Sequence, residues 1–303
     1  MGIEMINFSE ITIEDKALFD KYLRPHNPQV SEMTFTNFFM WRNFYKFRYA
    51  EINGLLCVIA VPEGKNPFCF VPFGKPEKAV FTEVFLKLKT YFQINGWKLR
   101  FERMDEIQSG YFREYLGFTD EYIVKDTDNS DYVYFAENLI NLRGKKFDGK
   151  RNHINKFKKM YNYEYVMLSS ENTGECSKIM DKWCLERSCE EHKDFYCEKK
   201  ANMELLNNFT ALSCKGALIK VNGEFEAFTV GEMLNEDTAV IHIEKANGSI
   251  NGLYTFINQQ FCEREWREAA FINREQDLGI EGLRKAKLSY HPAKMINKYK
   301  LIL

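Results

Sequence analysis

Long apolar runs are missing from this 303-residue chain. The longest, "LLCVIAVP" at 55–62, falls far short of the ~20 residues that span a bilayer, so no transmembrane helix is expected. The opening residues, "MGIEMINFSEITIEDK", lack a basic start followed by an apolar stretch, so no signal peptide is expected. Net charge is nearly absent as well. With 42 Lys and Arg against 43 Asp and Glu, affinity for a polyanion must come from local clustering. Paired two-residue cysteine gaps are also missing. Cys184, Cys189, His192 and Cys197 cluster, but their gaps of four, two and four residues do not match zinc knuckles or ribbons, and no metal is expected. The eight cysteines read as reduced thiols of a soluble cytoplasmic protein.

What the chain does have is core material. Hydrophobic residues make up 45% and aromatics 15%, enough for two domains or one large one at this length. Two passages share one order of elements. In the first, Asn53-Gly54 is a strong hairpin signal between "KFRYAEI" and "LLCVIAV". The strand "FCFVPFG", the helix "AVFTEVFLKLKTYFQ", the strand "LRFERM", the helix "EIQSGYFREYL" and the strand "EYIVK" follow. In the second, Asn222-Gly223 joins "GALIKV" to "EAFTVGEML", and then come "TAVIHIEKA", the helix "GLYTFINQQFCERE", the strand "AAFIN", the helix "IEGLRKAKL" and the strand "INKYKLIL". From hairpin turn to penultimate strand is about 48 residues in one half and about 50 in the other, as a structural duplication would give. Coincidence among common elements is the alternative. The polar stretch "KDTDNSD" at 125–131 is the expected hinge, which divides the chain into domains at 1–128 and 129–303.

An α/β (α+β) chain with mixed sheets built as hairpin, strand, helix, strand, helix, strand matches the layout of GNAT acyltransferases. The stretches "LRGKKFDGKRNHINKFKKMYNYEY", "AFTVGEML", "AVIHIEKA", "GLYTFINQQF" and "INREQDLGIEGLRKAKLSYHP" together resemble a bacterial family of tandem-GNAT proteins. That family is related to the C-terminal domain of phosphatidylglycerol lysyltransferase and more distantly to the Fem aminoacyltransferases. The resemblance is strong over 132–300 and mostly architectural over 1–125. It implies two tandem GNAT-like domains and, more loosely, acyl transfer from an aminoacyl-tRNA donor to an amine, hydroxyl or lipid acceptor. An acyl-CoA donor and a non-catalytic tRNA-binding or anion-binding module are the alternatives.

Acetyltransferases of this fold hold the coenzyme A pyrophosphate on a glycine-rich loop at a helix N-terminus. The equivalent stretch, "EKANGSINGLYTF", offers Gly248 and Gly252 with Lys245 as the nearest cation, but no Arg or Gln anchor and no tight glycine pair. On "TAVIHIEKA", strict alternation puts Val240, His242 and Glu244 on one face and Ile241, Ile243 and Lys245 on the other. His242 or Glu244 is then a candidate general base, with Glu232 as a neighbour; a satisfied polar pair under a loop is the other reading. At the end of the penultimate strand Asn273, Arg274, Glu275 and Asp277 converge, with Arg284 and Lys287 a little further on, where open sheets bind ligands. These suit a zwitterionic or aminoacyl ligand, or else an ion-pair network sealing a crossover. Finally, residues 143–159 hold eight Lys or Arg against one acid. Lys150, Arg151, Asn152, Lys156 and Lys159 are candidates for tRNA or another polyanion, with Ile154 and Phe157 anchoring the far side; a merely solvated face fits the same pattern.

Overall fold

The computed structural model describes residues 6–186 and 193–303, and the chain divides into two units within it. Among the described residues the first comprises 6–131, 276–280 and 296–303; the second comprises 132–186, 193–275 and 281–295.

In the first unit the strands are β1 (Ser9–Glu10), β2 (Arg48–Ile52), β3 (Leu55–Ala60), β4 (Phe68–Cys69), β5 (Arg100–Met104) and β6 (Ile123–Lys125). The helices are α1 (Lys16–Leu23), α2 (Phe35–Tyr45), α3 (Lys78–Ile94) and α4 (Glu106–Leu116). In the second unit the strands are β7 (Asp131–Phe135), β8 (Tyr163–Met167), β9 (Lys215–Val221), β10 (Glu224–Met233), β11 (Thr238–Ala246), β12 (Phe271–Asn273) and β13 (Lys294–Ile296). Its helices are α5 (Ala136–Asn141), α6 (Asp148–Met160), α7 (Thr173–Glu186), α8 (Lys193–Asn207), α9 (Phe209–Leu212), α10 (Leu253–Glu265) and α11 (Glu281–Leu288). The last strand, β14 (Tyr299–Ile302), returns to the first unit.

Both hairpin turns carry the backbone that Asn-Gly favours: φ is 50° and 77° at Asn53 and Gly54, and 52° and 94° at Asn222 and Gly223. The two seven-stranded sheets run β1-β2-β3-β4-β5-β14-β6 and β8-β9-β10-β11-β12-β7-β13. Position by position the orders correspond, each with a parallel pair, β4–β5 or β11–β12, flanked on both sides by antiparallel pairs.

The correspondence also corrects the expected boundary. Residues 129–303 are not one continuous domain, because β14 pairs with β5 and β6 while β7 fills the equivalent slot of the second sheet. A buried charge cluster fixes the approach to β14. Lys298 Nζ lies 2.5 Å from Glu32 Oε2 and 2.7 Å from Asp131 Oδ1, and Arg103 Nη1 reaches Glu32 Oε1 at 3.0 Å. Burying such charges is tolerable only when they are paired.

In the second unit α5, α6 and α10 pack on one sheet face and α7 lies on the other. Helix α10 buries Leu253, Phe256, Ile257, Phe261 and Cys262 together with polar Thr255, Asn258 and Gln260, so it is enclosed on most sides. Helix α6 is the opposite case: Ile154 and Phe157 are its buried residues, and Phe157 meets Phe256 at 4.7 Å between ring centroids.

Candidate functional site

The second sheet opens where its parallel strands part. β11 and β12 pair at Thr238–Phe271, Ala239–Ile272 and Val240–Asn273, after which β11 runs on and β12 stops. The chain leaving β12 is held by exchanged backbone bonds: Arg274 N–H donates to the Tyr132 carbonyl (2.9 Å) and Tyr132 N–H to that of Glu275 (3.1 Å). The buried Asn273 carboxamide accepts the Glu275 N–H at 2.8 Å, and Lys287 Nζ donates to the carbonyls of Arg274 and Glu275. Glu275 is thereby kept at φ 58°, a left-handed conformation that costs an L-residue about 1–2 kcal/mol. With that turn fixed, Arg274 reaches across the opening to Glu244, Nη2 to Oε1 at 2.9 Å.

Glu244 does not share a face with His242, contrary to the alternation expected from the sequence. Val230 pairs with Ile243 and Gly231 with Ile241, so His242 is the extra residue of a β-bulge. The bulge requires a glycine opposite, since a Cβ on Gly231 would stand 2.4 Å from the Val240 carbonyl oxygen. Beyond it the pleat is reset, and Glu244 turns to the α10 side, where Asn258 Nδ2 donates to its second oxygen at 2.9 Å.

His242, fully enclosed, lies between two carboxylates: Nε2 is 2.9 Å from Glu232 and Nδ1 3.1 Å from Glu275. Burial alone would discharge the ring, but the hydrogen bonds and charges of Glu232 and Glu275 outweigh it and raise its pKa to about 9. At neutral pH it is an imidazolium with both N–H groups donated, which leaves no lone pair to act as a base.

Tyr290, just past α11, forms the floor beside the pair. Arg274 lies over its ring at 4.9 Å and Lys150 at 3.8 Å. Lys150 Nζ donates to Ser289 Oγ at 2.7 Å, and burial together with the Arg274 charge pulls its pKa down to about 8. Tyr134 completes the wall, its hydroxyl donating to the Lys287 carbonyl at 2.9 Å. Asn258, Tyr134 and Tyr290 were not singled out from the sequence as ligand-facing. The only signal was a Tyr in "SYHP" after a basic helix and an Asn within an apolar helical stripe.

The remaining candidates lie elsewhere. Lys245 is buried on the other sheet face, 2.7 Å from Glu198 and over the Trp183 ring. Arg151 is occupied as well: it donates to the carbonyls of Leu142 and Gly144 past the end of α5 and pairs with Asp148. Asn152, Lys156 and Lys159 are exposed on α6, and Arg284 is half-buried on α11. Asp277 belongs to the first unit, where its buried carboxylate accepts the Gly279 N–H at 2.8 Å.

Gly252 caps α10 at φ 87°, and the backbone of α6 lies against it: a Cβ there would meet the His153 carbonyl oxygen at 2.5 Å. The place equivalent to a pyrophosphate loop is thus covered by α6. Gly248 has open space around it. Cys189, His192 and Cys197 lie outside the residues described with side chains; among the described residues no group of three or more His, Cys, Asp or Glu could hold a metal.

A parallel strand pair within a mixed sheet, occurring twice with matching strand order, defines a tandem GNAT-like fold. The chain belongs to the family "Phosphatidylglycerol lysyltransferase, C-terminal", whose model matches residues 24–302. A conserved protein of unknown function from Bacteroides thetaiotaomicron is 33% identical, with 99% of this chain and 100% of that one covered and a TM-score of 0.90. The structure of L-PGS from Bacillus licheniformis is similar at 14% identity over 97% of this chain and 92% of that one, with a TM-score of 0.67. A tandem GNAT protein from the clavulanic acid biosynthesis pathway shares the fold at 8% identity, 98% coverage of each chain and a TM-score of 0.53. No described helix is long and apolar enough to cross a membrane.

Proposed function

We propose that the second unit transfers an aminoacyl group from aminoacyl-tRNA to an amine or hydroxyl acceptor. The observation that carries this reading is the Glu244–Arg274 pair spanning the opening between β11 and β12. The donor ester is already activated, so the protein has to position the acceptor and manage one proton. Glu244 takes the proton from the acceptor as its lone pair attacks the ester carbonyl carbon. Arg274 then balances the negative charge developing on the carbonyl oxygen. The bond to the ribose oxygen breaks, and that oxygen leaves with the proton that Glu244 gives back. His242 is a positioning residue here: through Glu275 it braces the turn that aims Arg274.

Family membership favours an aminoacyl donor, and the exposed lysines of α6 (Lys156, Lys158 and Lys159) supply a cationic strip for tRNA phosphates. The acyl-CoA alternative has less room, because α6 lies on the N-terminus of α10 at Gly252. An aminoacyl-tRNA donor implies a cytoplasmic site of action. A lipid acceptor is suggested by the L-PGS relative, and a small amine fits the same chemistry.

Thermal unfolding in the presence of charged tRNA, uncharged tRNA and acetyl-CoA tests the donor. A ligand present at 100 times its Kd stabilises by about 2.7 kcal/mol. The reading expects stabilisation by charged tRNA and none by acetyl-CoA. The reverse pattern overturns it.

A further inference from the structure

The charge balance around Tyr290 is uneven. Two cations, Lys150 and Arg274, share its ring at 3.8 and 4.9 Å, while Glu244 is bonded to Arg274 alone of the two. Among the described residues Lys150 has no carboxylate partner; its hydrogen bond goes to the neutral Ser289 hydroxyl, which itself donates to the Ala286 carbonyl at 2.6 Å. Lys150 is also the third residue of α6, where the helix dipole presents its positive end. Half-burial, the neighbouring guanidinium and the helix N-terminus act against the ammonium form, and the Glu244 charge, bonded to Arg274, offsets them only in part. The other lysines of this helix, Lys156, Lys158 and Lys159, are exposed.

We propose that Lys150 is itself an acyl-acceptor site, its side-chain amine being acylated by activated esters or thioesters that enter the Glu244–Arg274 opening. The neutral amine attacks the carbonyl carbon and an amide bond forms. The carbon–oxygen or carbon–sulfur bond of the donor breaks, the leaving group departs with the bonding pair, and the nitrogen gives up one proton to solvent. Acylation removes one of the two positive charges on Tyr290 and leaves Arg274 as the sole cation there. The amine titrates near pH 8, so a useful fraction is neutral under physiological conditions. The natural donor rests on the acyl-transfer reading above; the reactivity of the amine does not.

Acetylation by p-nitrophenyl acetate, followed by peptide mapping in a mass spectrometer, tests that reactivity without any donor recognition. At pH 7.5 Lys150, half-buried beside Arg274, is expected to be acetylated about tenfold faster than the exposed Lys156 or Lys159. Its rate should level off above the midpoint near pH 8. Replacing Arg274 with Gln should move the midpoint upward and slow Lys150 at pH 7.5 while leaving Lys156 and Lys159 unchanged. Equal rates at all three lysines in the wild-type protein, or a Lys150 rate still climbing at pH 10, overturn the proposal. Rapid Lys150 labelling together with no response to charged tRNA would leave this inference standing and remove the aminoacyl-tRNA reading.

Discussion

Arg274 and Glu244 extend from neighbouring parallel strands and meet at 2.9 Å just beyond the last paired residues, Val240 and Asn273. Both side chains are mostly enclosed, with 15% and 12% exposure, and such a pair is costly to desolvate unless its geometry is well satisfied. Asn258 and the Tyr290 ring supply that satisfaction on one side, and the braced turn at Glu275 supplies it on the other.

Glu244→Gln keeps the shape of the side chain and removes its charge. It should lower donor or acceptor binding by roughly 1.5–3 kcal/mol, about 10-fold to 150-fold, because a charged hydrogen-bond partner is removed. Leaving Arg274 enclosed without its carboxylate also costs stability, about 3–5 kcal/mol, so binding is compared on the folded protein. Titration calorimetry beside a melting curve separates the two; a variant that melts much earlier yet binds normally once folded would make the pair structural.

The His242 imidazolium makes stability depend on pH. Its folded pKa of about 9 lies above the ordinary 6.5, so its contribution is complete below about 6.5 and is lost as pH rises through about 9. The full difference is roughly 3 kcal/mol. Urea unfolding of wild type and His242→Gln from pH 6 to 9.5 should show the gap between them closing as pH rises. A gap that stays constant would mean the ring is neutral in the folded protein.

At the N-terminus of α10, Gly252→Ala faces both a left-handed backbone and the His153 carbonyl. A loss of about 2 kcal/mol or more is expected, against a change within about 0.5 kcal/mol for Gly248→Ala, which meets open space. Paired chemical denaturation curves check this. Equal effects would show that α6 can move off the loop.

For the α6 strip, every lysine–phosphate ion pair that is removed should reduce the log–log salt slope of tRNA binding by about 0.7–0.9. Lys156→Glu with Lys159→Glu is the informative variant, since Arg151 is committed to the carbonyls of Leu142 and Gly144. Arg151→Glu should instead destabilise the fold. Salt titrations that coincide for wild type and the double variant would mark the strip as solvated surface.

Much of this was readable from residue order. Asn53-Gly54 and Asn222-Gly223 announced their hairpins because few other pairs adopt positive φ twice in succession. Ile154 and Phe157 announced the buried side of α6 by their helical spacing. The bulge at His242 was hidden because a period-two pattern carries no mark of one inserted residue, and that residue reversed the face of Glu244. The slot taken by β14, and the Glu32–Lys298–Asp131 cluster beside it, depend on residues 266 and 167 positions from Lys298, separations that no local pattern encodes. Lys245 looked like a phosphate ligand from its place in a strand-to-helix loop, whereas the pleat beyond the bulge turns it toward Trp183 and Glu198.

The central claim is that Glu244 and Arg274 serve acyl transfer from a charged tRNA, and the most direct measurement follows the ester itself. Charged tRNA carrying a labelled amino acid is incubated with the protein and a panel of amine, hydroxyl and lipid acceptors, and label is followed from tRNA into product. The account predicts wild-type transfer well above spontaneous ester loss, and loss of transfer to background in Glu244→Gln and Arg274→Gln variants that remain folded. Transfer that persists unchanged in both variants, or wild-type label lost no faster than without protein while an acyl-CoA is consumed, would contradict it.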